Sequence, residues 1–302
     1  MKWIILGCLA ALLLLGGLYF FAYQLAKYVA CPTYVTLKQA KEVLMKAGIW
    51  DSYDRMPKEA YKIAMADGYQ LQAYVIPAET KTDNYVVISH GYSYNCYGSV
   101  KYVLMFHELG YNCIIYDNRG HGNNKPSICT MGVQESRDLI AVIGDTYRRY
   151  GEDIYLGLHG ESMGAGLQIM SLAYRPRVHF IINDCGYAKL MDVLRHKAKT
   201  LFHLPAWICD ISSLVSTKKY GYAFKNVRPI DELEKNEIPI CFMHGLEDTF
   251  IAYNHSQEMN NKTKGYSEIH LFPGADHAQS IDSNPEQYKE IVEKFLKKIE
   301  NR

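Results

Sequence analysis

The stretch Ile154-Tyr155-Leu156-Gly157-Leu158-His159-Gly160-Glu161-Ser162-Met163-Gly164 decides how this chain folds. A short apolar run, Ile154 to Leu158, leads into glycine-x-serine-x-glycine. A helix-like run from Met163 to Tyr174 follows without a break. Strand before and helix after is the setting of a nucleophile elbow, a sharp turn that lifts a serine hydroxyl off the edge of a sheet. The glycines have a steric reason: a side chain at Gly160 or Gly164 would collide with the neighbouring strand or helix. The helix start also leaves the Met163 N–H placed for an oxyanion.

Similar apolar runs lie on either side of the elbow, at Tyr85 to Ser89, Cys113 to Tyr116, Val178 to Ile182, Ile238 to Phe242 and Glu268 to Phe272. Strands that are apolar throughout suit a sheet covered on both faces. Helix-like stretches such as Val133 to Tyr150 and Pro285 to Ile299 separate most of them, and this alternation predicts a mostly parallel α/β sheet. Ahead of these, Tyr61 to Met65 and Leu71 to Val75 alternate around Asp67-Gly68, a hairpin signature. Leu37 to Ile49 has amphipathic helical spacing.

A serine hydroxyl is a weak nucleophile at neutral pH and needs a base, with a third group to orient that base. Of eleven histidines, His277 stands just beyond the last predicted strand and before the last helix, where its loop can reach Ser162. His244 closes a strand instead. Asp248, four residues after His244, lies in a loop from which a carboxylate can face His277. Glu247 and Asp276 are its local competitors, the first expected to point the other way and the second too close to curl onto the ring. The loop Ser89-His90-Gly91-Tyr92 is placed to supply the Tyr92 N–H as a second oxyanion donor beside that of Met163.

Taken together, His90-Gly91-Tyr92, Asp117-Asn118-Arg119-Gly120-His121-Gly122, Gly160-Glu161-Ser162-Met163-Gly164, His244-Gly245-Leu246-Glu247-Asp248 and Gly274-Ala275-Asp276-His277 resemble the motifs of α/β-hydrolase fold proteins in order and spacing. The likeness is closest to bacterial serine hydrolases of the serine aminopeptidase/monoacylglycerol lipase-like group that carry an N-terminal membrane segment, and it covers Tyr61 to the C-terminus. It implies an α/β-hydrolase fold, Ser162 as nucleophile, Asp248 as acid, His277 as base, and Tyr92 with Met163 as the oxyanion hole. Arg119 is expected to brace neighbouring loops, with the glycines around it structural.

The 188–236 stretch reads as an insertion, and the resemblance implies a helical cap over the serine. It holds Leu201, Phe202, Leu204, Trp207, Ile208, Ile211, Leu214 and Val215 at roughly helical spacing. Either this face packs on the domain, or it is a lid lining an acyl pocket beside a bilayer.

Composition limits what else the chain can be. Hydrophobic residues make up 48% and charged residues 22%, which excludes intrinsic disorder. A formal charge of +1 over 302 residues offers no positive field for nucleic acid. The exception to this evenness is Trp3 to Ala26, 24 positions without a charge, where a spanning helix needs roughly 20 apolar residues. The expected organisation is a membrane anchor over 1–30, a juxtamembrane helix within 31–58 and one hydrolase domain over 59–302. Sidedness stays open. Lys27, Lys38, Lys41 and Lys46 favour a cytoplasmic domain, yet a short N-terminal anchor behind Lys2 also behaves as an uncleaved export signal. The eight cysteines form no C-x-x-C pair, so neither a zinc site nor a redox motif is expected.

These features predict a single-pass protein of a bacterial cell membrane that hydrolyses carboxylic esters, acyl/lipid-like or small, through an acyl-enzyme, without metal or organic cofactor. A peptidase acting on peptide or acyl-peptide amides is the rival enzyme. A catalytically silent binding protein is the reading from another class.

Overall fold

A computed structural model of the chain describes residues 1–301. In chain order its helices are α1 (Lys2–Ala30), α2 (Leu37–Lys46), α3 (Trp50–Arg55), α4 (Val100–Glu108), α5 (Glu135–Tyr150), α6 (Met163–Ser171), α7 (Leu190–Thr200), α8 (Ile208–Tyr220), α9 (Asn254–Lys262), α10 (Ser280–Ser283) and α11 (Pro285–Glu300). The strands are β1 (Glu59–Ala64), β2 (Gln70–Ile76), β3 (Asn84–Ser89), β4 (Asn112–Tyr116), β5 (Tyr155–Glu161), β6 (Phe180–Asp184), β7 (Ile240–Gly245) and β8 (Ser267–Phe272).

The strands form one eight-stranded sheet in the order β1-β2-β4-β3-β5-β6-β7-β8. The hairpin at Asp67-Gly68 joins β1 to β2, and β2 pairs antiparallel with β4. Every other pairing is parallel. Two strands sit later than the apolar runs suggest. β7 starts at Ile240 because Pro239 has no N–H to give a central ladder, and β6 starts at Phe180. Helices α4 and α9, which carry no distinctive periodicity, provide the crossovers from β3 to β4 and from β7 to β8.

Alternation along β3 explains the two-sided burial. Val86 and Ile88 face a core closed by α2, α3, α4 and α11, while Val87 faces a second core closed by α5, α6 and α9. The sheet reverses direction of growth between β3 and β5, since the chain passes from β3 to β4 on one side and returns to β5 on the other. Loops at the carboxyl ends of strands leave a crevice at such a switch point.

A third apolar cluster lies above that crevice. The apolar set of the insertion divides: Ile208 and Val215 are buried in this cluster, whereas Leu201, Phe202, Trp207 and Leu214 remain exposed. The buried members meet Met131 and Met163, and also Ala22, Ala26, Val29 and Ala30 of α1. Helix α1 is long and apolar enough to cross a membrane. It is bare over its first four turns, touches the domain from Leu18, and is packed into it over its last three turns.

The packing around the elbow is tight enough to test. A Cβ on Gly164 would lie 2.0 Å from the Ser89 carbonyl oxygen, and both groups are backbone. Gly164→Ala is therefore expected to lower stability by about 3 kcal/mol, the upper end of overpacking costs. A thermal melt in detergent that matched the wild type would show that the strand and helix are free to separate.

Candidate active site

β5 runs into Ser162, whose φ of 55° and ψ of −114° lie outside the regions ordinary residues favour. Such a conformation costs of order 1–3 kcal/mol and persists only where its surroundings enforce it. They do so here through the Ser162 N–H, which donates to the Asp184 carbonyl of β6 at 2.8 Å, and through Gly160, where a Cβ would meet the start of α6 at 2.5 Å. The turn presents the Ser162 hydroxyl to the loop after β8.

Ser162, His277 and Asp248 form one hydrogen-bonded chain. His277 Nδ1 donates to Asp248 Oδ2 at 2.7 Å, leaving Nε2 to accept the Ser162 hydroxyl at 2.9 Å. Asp248 is held on both oxygens: Oδ1 accepts the N–H groups of Phe250 and Ile251, both at 2.8 Å. Burial alone would raise its pKa, but the hydrogen bonds from His244 and His277 and the backbone outweigh it and hold the carboxyl well below the usual carboxylate range. The competing acids are occupied elsewhere. Glu247 accepts the Gly274 N–H, and Asp276 accepts the N–H groups of His277 and Thr249.

His244 does more than close β7. Its Nε2 lies 2.7 Å from the Ile251 carbonyl, which can only accept, so that nitrogen carries the proton and shares it with Asp248 Oδ2 at 3.1 Å. The Ser256 hydroxyl is hydrogen-bonded to Nδ1 at 2.7 Å. A buried imidazole thus fixes the acid from behind; the four-residue spacing from His244 to Asp248 is its only trace in the sequence. Cys185 brings a third potential metal-ligand type next to Asp248 and His277. Burial pushes its thiol up, however, and Asp248 Oδ2 already accepts from two imidazoles.

The loop after β3 is set by a second buried histidine. His90 Nε2 accepts the Asn118 N–H at 2.9 Å, so Nδ1 carries the proton and donates to the Gly91 carbonyl at 2.8 Å. Burial, with His121 alongside, lowers the His90 pKa to about 3, and the ring stays neutral. Because a peptide is planar, pulling the Gly91 carbonyl toward His90 turns the Tyr92 N–H the opposite way. Gly91 lies against Ser162, 3.6 Å from its Cβ to a Cβ built on the glycine. At Met163, the first residue of α6, the N–H has no intrahelical acceptor. Arg119 braces loops as expected, joining Asp138 of α5 at 2.7 Å to Asp67 of the hairpin turn at 2.8 Å.

Behind the elbow lies a buried charged group that the motifs did not single out. Lys101 Nζ donates to Glu161 Oε2 at 2.9 Å, to Asp282 Oδ2 at 3.0 Å and to the Ala278 carbonyl at 2.6 Å. One ammonium thereby ties the residue before Ser162 to the residue after His277. The Tyr102 hydroxyl bridges Glu161 and Asp184.

Ser162 opens into a narrow apolar cavity. The cap contributes Leu190, Leu194, Leu201 and Phe202, and α1 contributes Leu25, Tyr28 and Val29. Lys197 is the charged residue of its wall.

An elbow serine on a sheet of this order defines an α/β-hydrolase. Residues 99–302 match the prolyl oligopeptidase family of peptidases S9, and the chain belongs to that family. Among curated proteins it is similar to the uncharacterized protein YqkD of Bacillus subtilis, 30% identical over 254 residues and covering 82% of each chain. It is also similar to the uncharacterized protein YfhR of Escherichia coli K12, 24% identical over 254 residues, covering 80% of this chain and 82% of the relative. Among solved structures, the Pyrococcus furiosus esterase Pf2001 superposes with a TM-score of 0.67 at 23% identity, over 80% of this chain and 91% of that one. The acylaminoacyl peptidase of Pyrococcus horikoshii gives 0.63 at 16% identity, over 82% of this chain and 42% of that one. The fold and motif order stand as expected, and the chain is a hydrolase.

The buried carboxylates make folding pH-dependent. Burial, with Glu161 nearby, pushes Asp184 up from 3.8 to about 6 despite the opposing charge of Lys101. Between those pH values the folded protein keeps a proton that the unfolded chain releases, so this group's contribution to stability falls as pH rises through the window. Asp184→Asn cannot titrate and is expected to lose that slope. Urea unfolding stepped from pH 4 to pH 7 measures it; parallel curves for wild type and variant would mean that Asp184 ionises as a surface carboxylate does.

Proposed function

We propose that the protein is a membrane-anchored serine hydrolase of carboxylic esters, with Ser162 as nucleophile, His277 as general base and then acid, and Asp248 as the orienting carboxylate. The observation that carries this reading is the Ser162–His277–Asp248 hydrogen-bonded chain opening directly into an apolar cavity. Ser162 Oγ attacks the ester carbonyl while His277 Nε2 takes its proton, and Asp248 stabilises the imidazolium. The N–H groups of Tyr92 and Met163 receive the oxyanion. Collapse expels the alcohol, which leaves with the proton from His277, and water then repeats the cycle on the acyl-enzyme. The substrate is a small molecule, the chemistry consumes water alone, and α1 is the anchor, in a bacterial cell membrane as the origin of the curated relatives suggests.

Family membership favours a second reading, a peptidase cleaving peptide or acyl-peptide amides with the same residues. The apolar wall beside Ser162 supports the ester: it presents hydrocarbon to the acyl group and has few hydrogen-bond partners for a peptide backbone. A panel of p-nitrophenyl acyl esters against aminoacyl anilides separates the two, and faster turnover of the anilides would reverse the choice. A fluorophosphonate that left Ser162 of the wild-type protein unlabelled would remove the enzyme reading altogether.

Two substitutions test the assigned parts. Asp248→Asn is expected to lower kcat by about 10⁴ through the wrong imidazole tautomer, while Glu247→Gln keeps turnover near wild type; the reverse pattern would move the acid to Glu247. His90→Leu frees the Gly91 peptide and is expected to cost up to about 10²–10³ in kcat, the value of one oxyanion donor, with KM little changed. An unaltered kcat would show that the Tyr92 N–H is aimed by something else.

A further inference from the structure

Helix α1 does two things along its length. From Trp3 to Phe21 its large apolar side chains are exposed, except Leu18, which is partly buried against the cluster under the cap. At a rise of about 1.5 Å per residue this stretch is roughly 28 Å long, against a hydrocarbon core of about 30 Å. From Ala22 onward one face is buried against the cap: Ala22, Ala26 and Ala30 are fully covered, and Val29 nearly so. The helix does not stop where a bilayer would end but continues, rigid, into the domain.

Its last turns reach the cavity at Ser162. Leu25, Tyr28 and Val29 form one wall of it, facing Leu190, Leu194 and Phe202 of the cap segment. The position is fixed by the loop that carries a proposed oxyanion donor. The Tyr92 hydroxyl donates to the Tyr28 carbonyl and, at 3.2 Å, to that of Val29; the last carbonyls of a helix lack intrahelical donors. The residue proposed as an oxyanion donor therefore also holds the end of α1 with its side chain.

The cavity mouth lies where the helix would leave the bilayer. Tyr28 and Phe202 meet edge to face with ring centroids 6.3 Å apart, and both are exposed, as is Leu201 beside them. Lys27 is the first charge after Lys2, and a basic residue flanked by aromatic ones marks a membrane–water interface. An acyl tail lying in the bilayer meets this rim without crossing water.

We propose that the C-terminal turns of α1 are the specificity wall of the acyl pocket, so that Leu25 and Val29 measure the chain of a membrane-resident ester drawn in sideways from the bilayer. This rests on Ser162 being the nucleophile, and it adds that the membrane helix is part of the substrate site rather than a tether. Hydrophobic pockets discriminate chain length by about tenfold or more per filled or missing methylene-sized space, so changes on α1 will move the chain-length profile.

The test uses the full chain in nanodiscs and a series of alkyl fluorophosphonates from ethyl to dodecyl, reading the rate at which Ser162 is labelled. Wild type is expected to label faster with the long probes. Val29→Trp fills the wall, and the long-to-short rate ratio should drop about tenfold or more. Leu25→Ala enlarges the same wall and should shift the optimum to longer chains, which keeps the test decisive where the tryptophan variant does not fold. Leu13→Ala, on the bare stretch at 78% exposure, should leave the ratio where it was. Ratios that stay at the wild-type value in both wall variants while labelling continues would overturn the role of α1 and leave the serine hydrolase reading intact. Failure of wild type to label with any probe would instead bring down that reading, and this inference with it.

Discussion

The approach of α6 to the end of β3 is the contact on which the rest of the site depends. Gly164 has its Cα where a Cβ would sit inside the Ser89 carbonyl, so the helix after the elbow and the loop after the neighbouring strand are as close as two backbones come. That proximity sets the loop carrying Gly91 and Tyr92 beside Ser162 at the start of α6. It also confines Ser162 to a φ of 55°, because the chain must turn from β5 into α6 within one residue. The cost of that conformation, of order 1–3 kcal/mol, is offset by the burial of α6 between two cores, which supplies the over-determination that such strain requires.

Charge at the site is held as firmly as shape. Asp248 is kept ionised by four donors, whereas His90 is kept neutral by burial. His277 is the member of the hydrogen-bonded chain with a solvent-facing edge, its side chain 21% exposed against none for Asp248. In the proposed reaction a proton taken from Ser162 would arrive on a ring whose Asp248 partner is already saturated with donors and whose edge is partly open to solvent. Lys101 adds mechanical coupling. By gripping Glu161 and the Ala278 carbonyl together, it holds both sides of the Ser162–His277 contact from beneath, where no substrate reaches.

Much of this could be read from residues alone because the relevant constraints are local. A glycine-x-serine-x-glycine turn between strand and helix, a hairpin at Asp67-Gly68, and an acid and histidine following two late strands are all short-range patterns. They located Ser162, Asp248 and His277, which the structure brings within hydrogen-bonding distance. What was not legible depends on side chains that meet only after the sheet is assembled. His244 looked like a strand end because nothing in sequence shows that its ring turns under Asp248. Lys101 and Asp184 lie 83 positions apart, and their association through Glu161 follows from β5 and β6 being neighbours with α4 packed across them. Strand limits at Phe180 and Ile240 shifted because ladder registry, not apolarity, sets where pairing begins.

In the N-terminal helix, length and composition do not show where the chain packs. Those measures report the uniform apolarity of Trp3 to Phe21, which suits contact with hydrocarbon on every side. The packed end is marked instead by Ala22, Ala26 and Ala30, spaced four apart so that they fall on one stripe. Small side chains there let α8 come close enough to bury that stripe, while the larger Leu25, Tyr28 and Val29 project from an adjoining face into the cavity. A helix serving only as a tether would have no need of a packed stripe, and a core helix would not leave its first four turns bare. A continuous helix with both properties fixes the orientation of the whole domain relative to any bilayer it crosses, because no flexible joint separates the spanning turns from the packed ones. The cavity wall formed by Leu25, Tyr28 and Val29 is then held in a fixed relation to the bare turns of the same helix.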